Sequence, residues 1–210
     1  MVAKSDNLHG HEIQRSAVAL LIVDVINDLE FPEGESLVQE SLRMARQIAD
    51  LRDRAEELGI PVIYVNDNFG RWRSDFQAQI QHCLKDDVRG KSLARLLEPG
   101  PQHYFVLKPR HSAFYSTSLE MLLRQLGVMT VIITGIAGNN CILFTAYDAY
   151  LRELKLIVPS DCVVSNTIED NNQALHLMEQ VLKADINDST RLTSECLRQL
   201  MQQSPASTGG

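Results

Sequence analysis

The chain lacks most of the features that mark a protein for nucleic acid, membranes or structural metal. It has no basic cluster: 20 Lys and Arg stand against 27 Asp and Glu, and the formal net charge is −7. A nucleic-acid surface needs a Lys/Arg footprint, so no nucleic-acid partner is expected. No apolar run reaches the roughly 18 residues that span a bilayer, so no membrane partner is expected either. Met1–Arg15 is polar, contains Asp6, Glu12 and two histidines, and lacks the apolar core of a secretory signal. A cytoplasmic location is the resulting expectation. Cysteine is sparse and scattered, at Cys83, Cys141, Cys162 and Cys196, with no CxxC pair. That argues against zinc ribbons and disulfide frameworks and suits a reducing compartment. No internal repeat and no linker between two domains is visible.

What is present is ordinary for a globular protein: 210 residues, 44% hydrophobic and 22% charged. One domain over residues 1–203 is expected, with a disordered tail over 204–210. Ala17–Val23 is a near-continuous apolar run, as in a strand covered on both faces. Ser36–Leu58 carries apolar residues at helical spacing and ends at Gly59. Further strands are predicted at Ile60–Val65, His103–Leu107, Val128–Thr134 and Leu154–Val158. Helices are predicted at Ser118–Gln125, Asn140–Arg152 and Asn171–Leu182, with a long irregular or partly helical excursion over 67–100. Alternating strands and helices predict βαβ units on a mainly parallel sheet, doubly wound into a three-layer α/β/α sandwich of Rossmann-like kind.

In such sheets ligands bind beyond the carboxyl ends of the strands. Three chemically capable side chains fall there: Asp24 after the first strand, Lys108 after the third and Cys141 after the fourth. Each has a plain alternative: a turn or cap for Asp24, a solvated surface group for Lys108, a small buried residue at a tight turn for Cys141. Together they form an acid, a cation and a thiol on one rim. A carboxylate can take the thiol proton, and an ammonium can hold both partners in their charged forms. Cys141 is placed where a helix begins, where unpaired N–H groups and the helix dipole favour the thiolate. No histidine holds a comparable position. If the strand order is 3-2-1-4-5, Lys108 must lean across roughly 10 Å to reach Asp24.

Three stretches carry a family resemblance: Leu21–Asp28, Lys108–Phe114, and Gly135–Cys141 with Thr145–Ala149 after it. Over roughly residues 16–185 the chain resembles the isochorismatase-like cysteine hydrolases, which include nicotinamidases, N-carbamoylsarcosine amidase-type enzymes and isochorismatases. The resemblance implies an Asp–Lys–Cys triad at Asp24, Lys108 and Cys141. It implies an oxyanion hole from the backbone N–H groups of Ala137 and Cys141, a cis peptide between Ile136 and Ala137, and a homo-oligomer, dimer or tetramer.

The chain also departs from the pattern. Ile26 stands where Gln is frequent, and Gly138 where Thr is frequent. Nicotinamidases open a metal site with Asp-x-His after the second strand; here Asp67 is followed by Phe69, and no histidine precedes His82. No metal and no cofactor are therefore expected, and nicotinamidase activity becomes doubtful. Isochorismatases that cleave a vinyl ether typically lack the nucleophilic cysteine, so Cys141 favours acyl chemistry on a small-molecule substrate. Phe69, Trp72 and Phe114 are candidate pocket residues, with anchoring of loops to the core as the alternative for each. Arg71 and Arg73 could meet a substrate carboxylate or simply be solvated. The expected function is cleavage of a C–N bond through a thioester. The alternatives are an isochorismatase-type ether hydrolase, a silent binding protein on the same fold and, more weakly, a redox-sensing cysteine.

Overall fold

The computed structural model describes residues 15–70, 75–85 and 87–202. The elements, in order, are β1 (Val18–Val23), α1 (Gly34–Glu57), β2 (Val62–Asp67), α2 (Phe76–Lys85), α3 (Lys91–Leu96), β3 (Tyr104–Lys108), α4 (Leu119–Leu126), β4 (Thr130–Ile136), α5 (Leu143–Leu151), β5 (Lys155–Ile157), β6 (Val163–Val164), α6 (Ile168–Leu182) and α7 (Ser194–Met201). All strand pairs are parallel. The order is β3-β2-β1-β4-β5, with the short β6 pairing the carboxyl end of β4. The α/β sandwich expected from the sequence is the fold observed.

The two faces of the sheet follow from strand periodicity. Val18, Leu20 and Ile22 of β1 point into a core shared with α1, α2, α3 and α7. Ala19, Leu21 and Val23 point into a second core with α4, α5 and α6. Every residue of β1 and β4 is buried, which explains their unbroken apolar sequence. Helix α1 lays Leu37, Ser41, Met44, Ala45, Ile48, Leu51 and Ala55 on the sheet, at steps of one to four residues and, in the main, along one stripe.

β2 and β4 sit two residues further along the chain than their apolar runs suggest, β3 one residue further, while β1 ends at Val23 as its run does. Ile60–Pro61 and Val128–Met129 are entry turns, and pairing continues through the polar Asn66, Asp67 and Lys108. The 67–100 excursion contains α2 and α3. The tail 204–210 lies outside the described residues, as do His9 and His11. No helix among the described residues is long and apolar enough to cross a membrane.

After β3 the chain returns to the other side of β1 to make β4. That reversal puts the switch point at the carboxyl ends of β1 and β4, where doubly wound sheets have the crevice that takes ligands.

Candidate active site

The last residues of β1, β2, β3 and β4 and the turns after them meet at this crevice. Asp24 follows β1 in left-handed backbone conformation, φ 55°, and its N–H donates to Val65 O at 2.8 Å. The turn beyond it is held by Asn66, whose buried Nδ2 donates to Ile26 O at 2.8 Å. Asp24 is almost fully buried, and its Oδ1 accepts the Asp67 N–H at 2.7 Å.

Lys108 closes β3, in register with Asp67. Its side chain leans over the end of β2 and is wholly buried. The ammonium has three partners: Asp24 Oδ2 at 2.8 Å, Asp67 Oδ2 at 3.3 Å and Cys141 Sγ at 3.4 Å. Three N–H bonds thus meet three acceptors, the full donor capacity of a lysine. The span that strand spacing demanded is covered.

Cys141 is half-buried. The sequence suggests that it starts an α-helix running from Asn140; instead it lies in a π-helical turn, Gly138–Ile142, and α5 begins at Leu143. The turn is closed by Asn140 N and Ile142 N, both donating to Ala137 O at 3.0 and 3.1 Å. Asn139 and Asn140 do not cap the helix through their side chains; Asn139 N donates to Ser165 Oγ. The Ile136–Ala137 peptide is cis, the bond the resemblance assigned to that state. Gly135 has φ 119°, and a Cβ there would stand 2.0 Å from Val23 O, so β1 and β4 approach too closely for any other residue.

The electrostatics reverse one expectation. A cysteine at a helix start was expected to have a lowered pKa. Burial, and after it the negative charge of Asp24, push the Cys141 thiol up to about 12, more than Lys108 pulls it down. The resting sulfur is protonated. Burial also raises the Asp24 carboxyl above its ordinary value, with Lys108, the thiol and the Asp67 N–H pulling the other way. Burial opposes the Lys108 charge, but Asp24, Cys141 and Asp67 outweigh it and hold the ammonium above the usual lysine value.

Of the aromatic candidates, Phe69 is on the rim, half exposed, at φ 52°. It walls a cavity of about 250 Å³ with Ile26, Asp28, Gln79 and His82, residues from the loops after β1 and β2 and from α2. Phe114 is not a rim residue: its ring is buried in the core beside α4, beneath the Arg152 guanidinium at 4.7 Å. Trp72, Arg71 and Arg73 lie outside the described residues. His82 Nε2 meets Asp28 Oδ2 at 3.0 Å on this rim. Sequence reasoning misses that pair, because the two residues are 54 apart in the chain and meet only through the fold.

The surroundings of Asp67 do not fit a zinc or iron site. Its Oδ2 faces the Lys108 ammonium, its Oδ1 accepts the Phe69 N–H, and the neighbouring side chain is a phenyl ring. Among the described residues no three His, Cys, Asp or Glu are grouped to hold a metal ion.

Residues 18–187 match the family model for the isochorismatase domain. The uncharacterized isochorismatase family protein YaaI of Bacillus subtilis (strain 168) is 45% identical over 174 residues, 83% of this chain and 95% of that protein. An isochorismatase family protein from Desulfovibrio vulgaris subsp. vulgaris str. Hildenborough superposes with a TM-score of 0.69 at 26% identity, over 88% of this chain and all of that one. N-carbamoylsarcosine amidase from Thermoplasma acidophilum superposes with a TM-score of 0.63 at 26% identity, over 82% and 96%.

Proposed function

The chain belongs to the isochorismatase family of hydrolases, and on that premise we propose that it cleaves a C–N bond in an amide, carbamoyl or related group of a small molecule, through a thioester on Cys141. The observation that carries this reading is the Lys108 ammonium bound at once to Asp24 and to the Cys141 sulfur. The similarity to an N-carbamoylsarcosine amidase supports the C–N bond as the target.

Asp24 is the base. It hydrogen-bonds the thiol, and burial makes its carboxylate more proton-hungry than in water. The proton passes from Sγ to Asp24 as Sγ bonds to the substrate carbonyl carbon. The N–H groups of Ala137 and Cys141 receive the oxyanion; one such donor is typically worth about 10²–10³ in rate. The C–N bond then breaks and the leaving nitrogen takes the proton from Asp24. Water adds to the thioester, giving its proton to the same carboxylate. The acid departs and the proton returns to sulfur. Lys108 stays charged throughout and offsets the negative charge that moves between Asp24 and Cys141.

The test is ammonia release by the protein and by Cys141→Ala across nicotinamide, pyrazinamide, N-carbamoyl amino acids, ureido acids and simple amides. Release that disappears with the cysteine is expected. Turnover that survives Cys141→Ala would overturn the thioester mechanism.

A further inference from the structure

We propose that Asp67 is a positioning residue for this site: it takes a share of the Lys108 ammonium that the sulfur would otherwise receive and keeps the resting proton on Cys141. The inference rests on the cysteine-hydrolase reading but on different atoms.

Asp67 is tied to the site through four of its own groups. Its N–H donates to Asp24 Oδ1 at 2.7 Å, and its Oδ2 stands 3.3 Å from Lys108 Nζ. Its Oδ1 accepts the Phe69 N–H at 2.6 Å, and its carbonyl accepts Gln79 Nε2 at 2.9 Å. The carboxylate is therefore aimed from both sides, and its direction toward Lys108 is fixed by the turn that follows β2. Register adds to this, since Asp67 and Lys108 are paired residues of neighbouring strands.

A lysine has three N–H bonds to share, and here two carboxylates and one sulfur take them. One cation between two carboxylates leaves the group with a net negative charge while the thiol is neutral. Ionising the sulfur would add a second. Asp67 therefore works against a standing thiolate, and it draws off part of the ammonium that would otherwise stabilise one. The negative charge appears on sulfur only as the proton moves to Asp24, which leaves the total unchanged. A site arranged this way keeps an unreactive thiol until a substrate carbonyl is in place. It also gives Asp67 a role in surroundings that do not fit a metal.

The experiment needs no substrate. The rate of Cys141 alkylation by iodoacetamide is followed by mass spectrometry between pH 6 and 10 in the wild type, Asp67→Asn and Asp67→Glu. Asparagine keeps the size, the backbone N–H and an acceptor for Phe69, but removes the negative charge that faces Lys108. The expected result is a profile moved to lower pH in Asp67→Asn, with alkylation about 3–10-fold faster at pH 8. Asp67→Glu, which restores the charge, should return toward the wild-type profile. A profile that does not move in Asp67→Asn, or that moves to higher pH, overturns the proposal. Failure of the cysteine-hydrolase reading would show separately, as turnover that survives Cys141→Ala.

Discussion

Lys108 Nζ lies 2.8 Å from Asp24 Oδ2, although the two residues end strands that β2 separates. Both side chains are buried, so each charge depends on the other. Lys108→Met would leave the Asp24 carboxylate buried with only a thiol and an N–H for company. Breaking a buried pair from one side costs about 3–5 kcal/mol, and a loss of that size is expected in urea unfolding. Lys108→Met combined with Asp24→Asn should recover most of it, because the carboxylate then left without the ammonium is Asp67, which is 27% exposed to water. A single substitution costing under about 1 kcal/mol would show that Asp24 simply takes up a proton.

Asp24→Asn should separate thiol reactivity from turnover. The carboxylate raises the Cys141 pKa by its charge and by its hydrogen bond, whereas Lys108 lowers it. Burial still raises the thiol in this variant, but the charge and hydrogen bond of Asp24 no longer add to it, so the thiol pKa falls from about 12. Iodoacetamide should then alkylate Cys141 faster at pH 7 than in the wild type. Ammonia release should drop by about 10²–10⁴, the usual worth of a general base. Slower alkylation in this variant would mean that Asp24 activates the resting thiol, contrary to the electrostatics of the site.

The pH dependence of turnover follows from the same carboxyl. A base must be ionised to act, and burial raises the Asp24 pKa above the ordinary aspartate value. The ascending limb of kcat/KM against pH should therefore lie above the usual carboxylate range of about 3.9. An ascending limb at or below that range would assign the base elsewhere.

How much of this was legible beforehand depends on the range of the forces involved. The apolar runs of β1 and β4 are local and mark the centre of the sheet; Asp24, Lys108 and Cys141 are read at one rim because they stand at or after the ends of the first, third and fourth strands. The ends of β2 and β4 lie beyond their apolar runs because backbone pairing continues past them, through Asn66 and Asp67 in one and through Gly135 and Ile136 in the other. The π-helical turn around Cys141 was invisible, since Gly138 to Ile142 reads equally well as the start of an α-helix. The thiol pKa had the wrong sign because a helix terminus can be read from sequence, while burial and a carboxylate from another strand cannot. Phe114 follows Lys108 closely but packs inward under Arg152, a contact made across the fold.

Two glycines beside the nucleophile separate a backbone constraint from a side-chain one. At Gly135 an added Cβ would meet Val23 O at 2.0 Å, in a backbone conformation of φ 119° that side chains resist. The obstacle is the strand that leads into Asp24, and β1 cannot move without breaking its pairing with β4. Gly135→Ala should lose about 3 kcal/mol or more and abolish turnover. At Gly138 an added Cβ would meet Asn171 Oδ1 at 2.4 Å, Ser165 Oγ at 2.8 Å and Val163 Cγ1 at 2.8 Å. These are side-chain atoms, and Ser165 Oγ and Asn171 Oδ1 are bonded to each other. Gly138→Ala should cost less, about 1–3 kcal/mol, with a fold that survives. Its turnover should still fall, because Ser165 Oγ also accepts the Asn139 N–H that anchors the turn around Cys141. Thermal melts and ammonia release on the two variants decide the point. If Gly138→Ala proves the more damaging to stability, the close approach of β1 and β4 is not what demands glycine at 135.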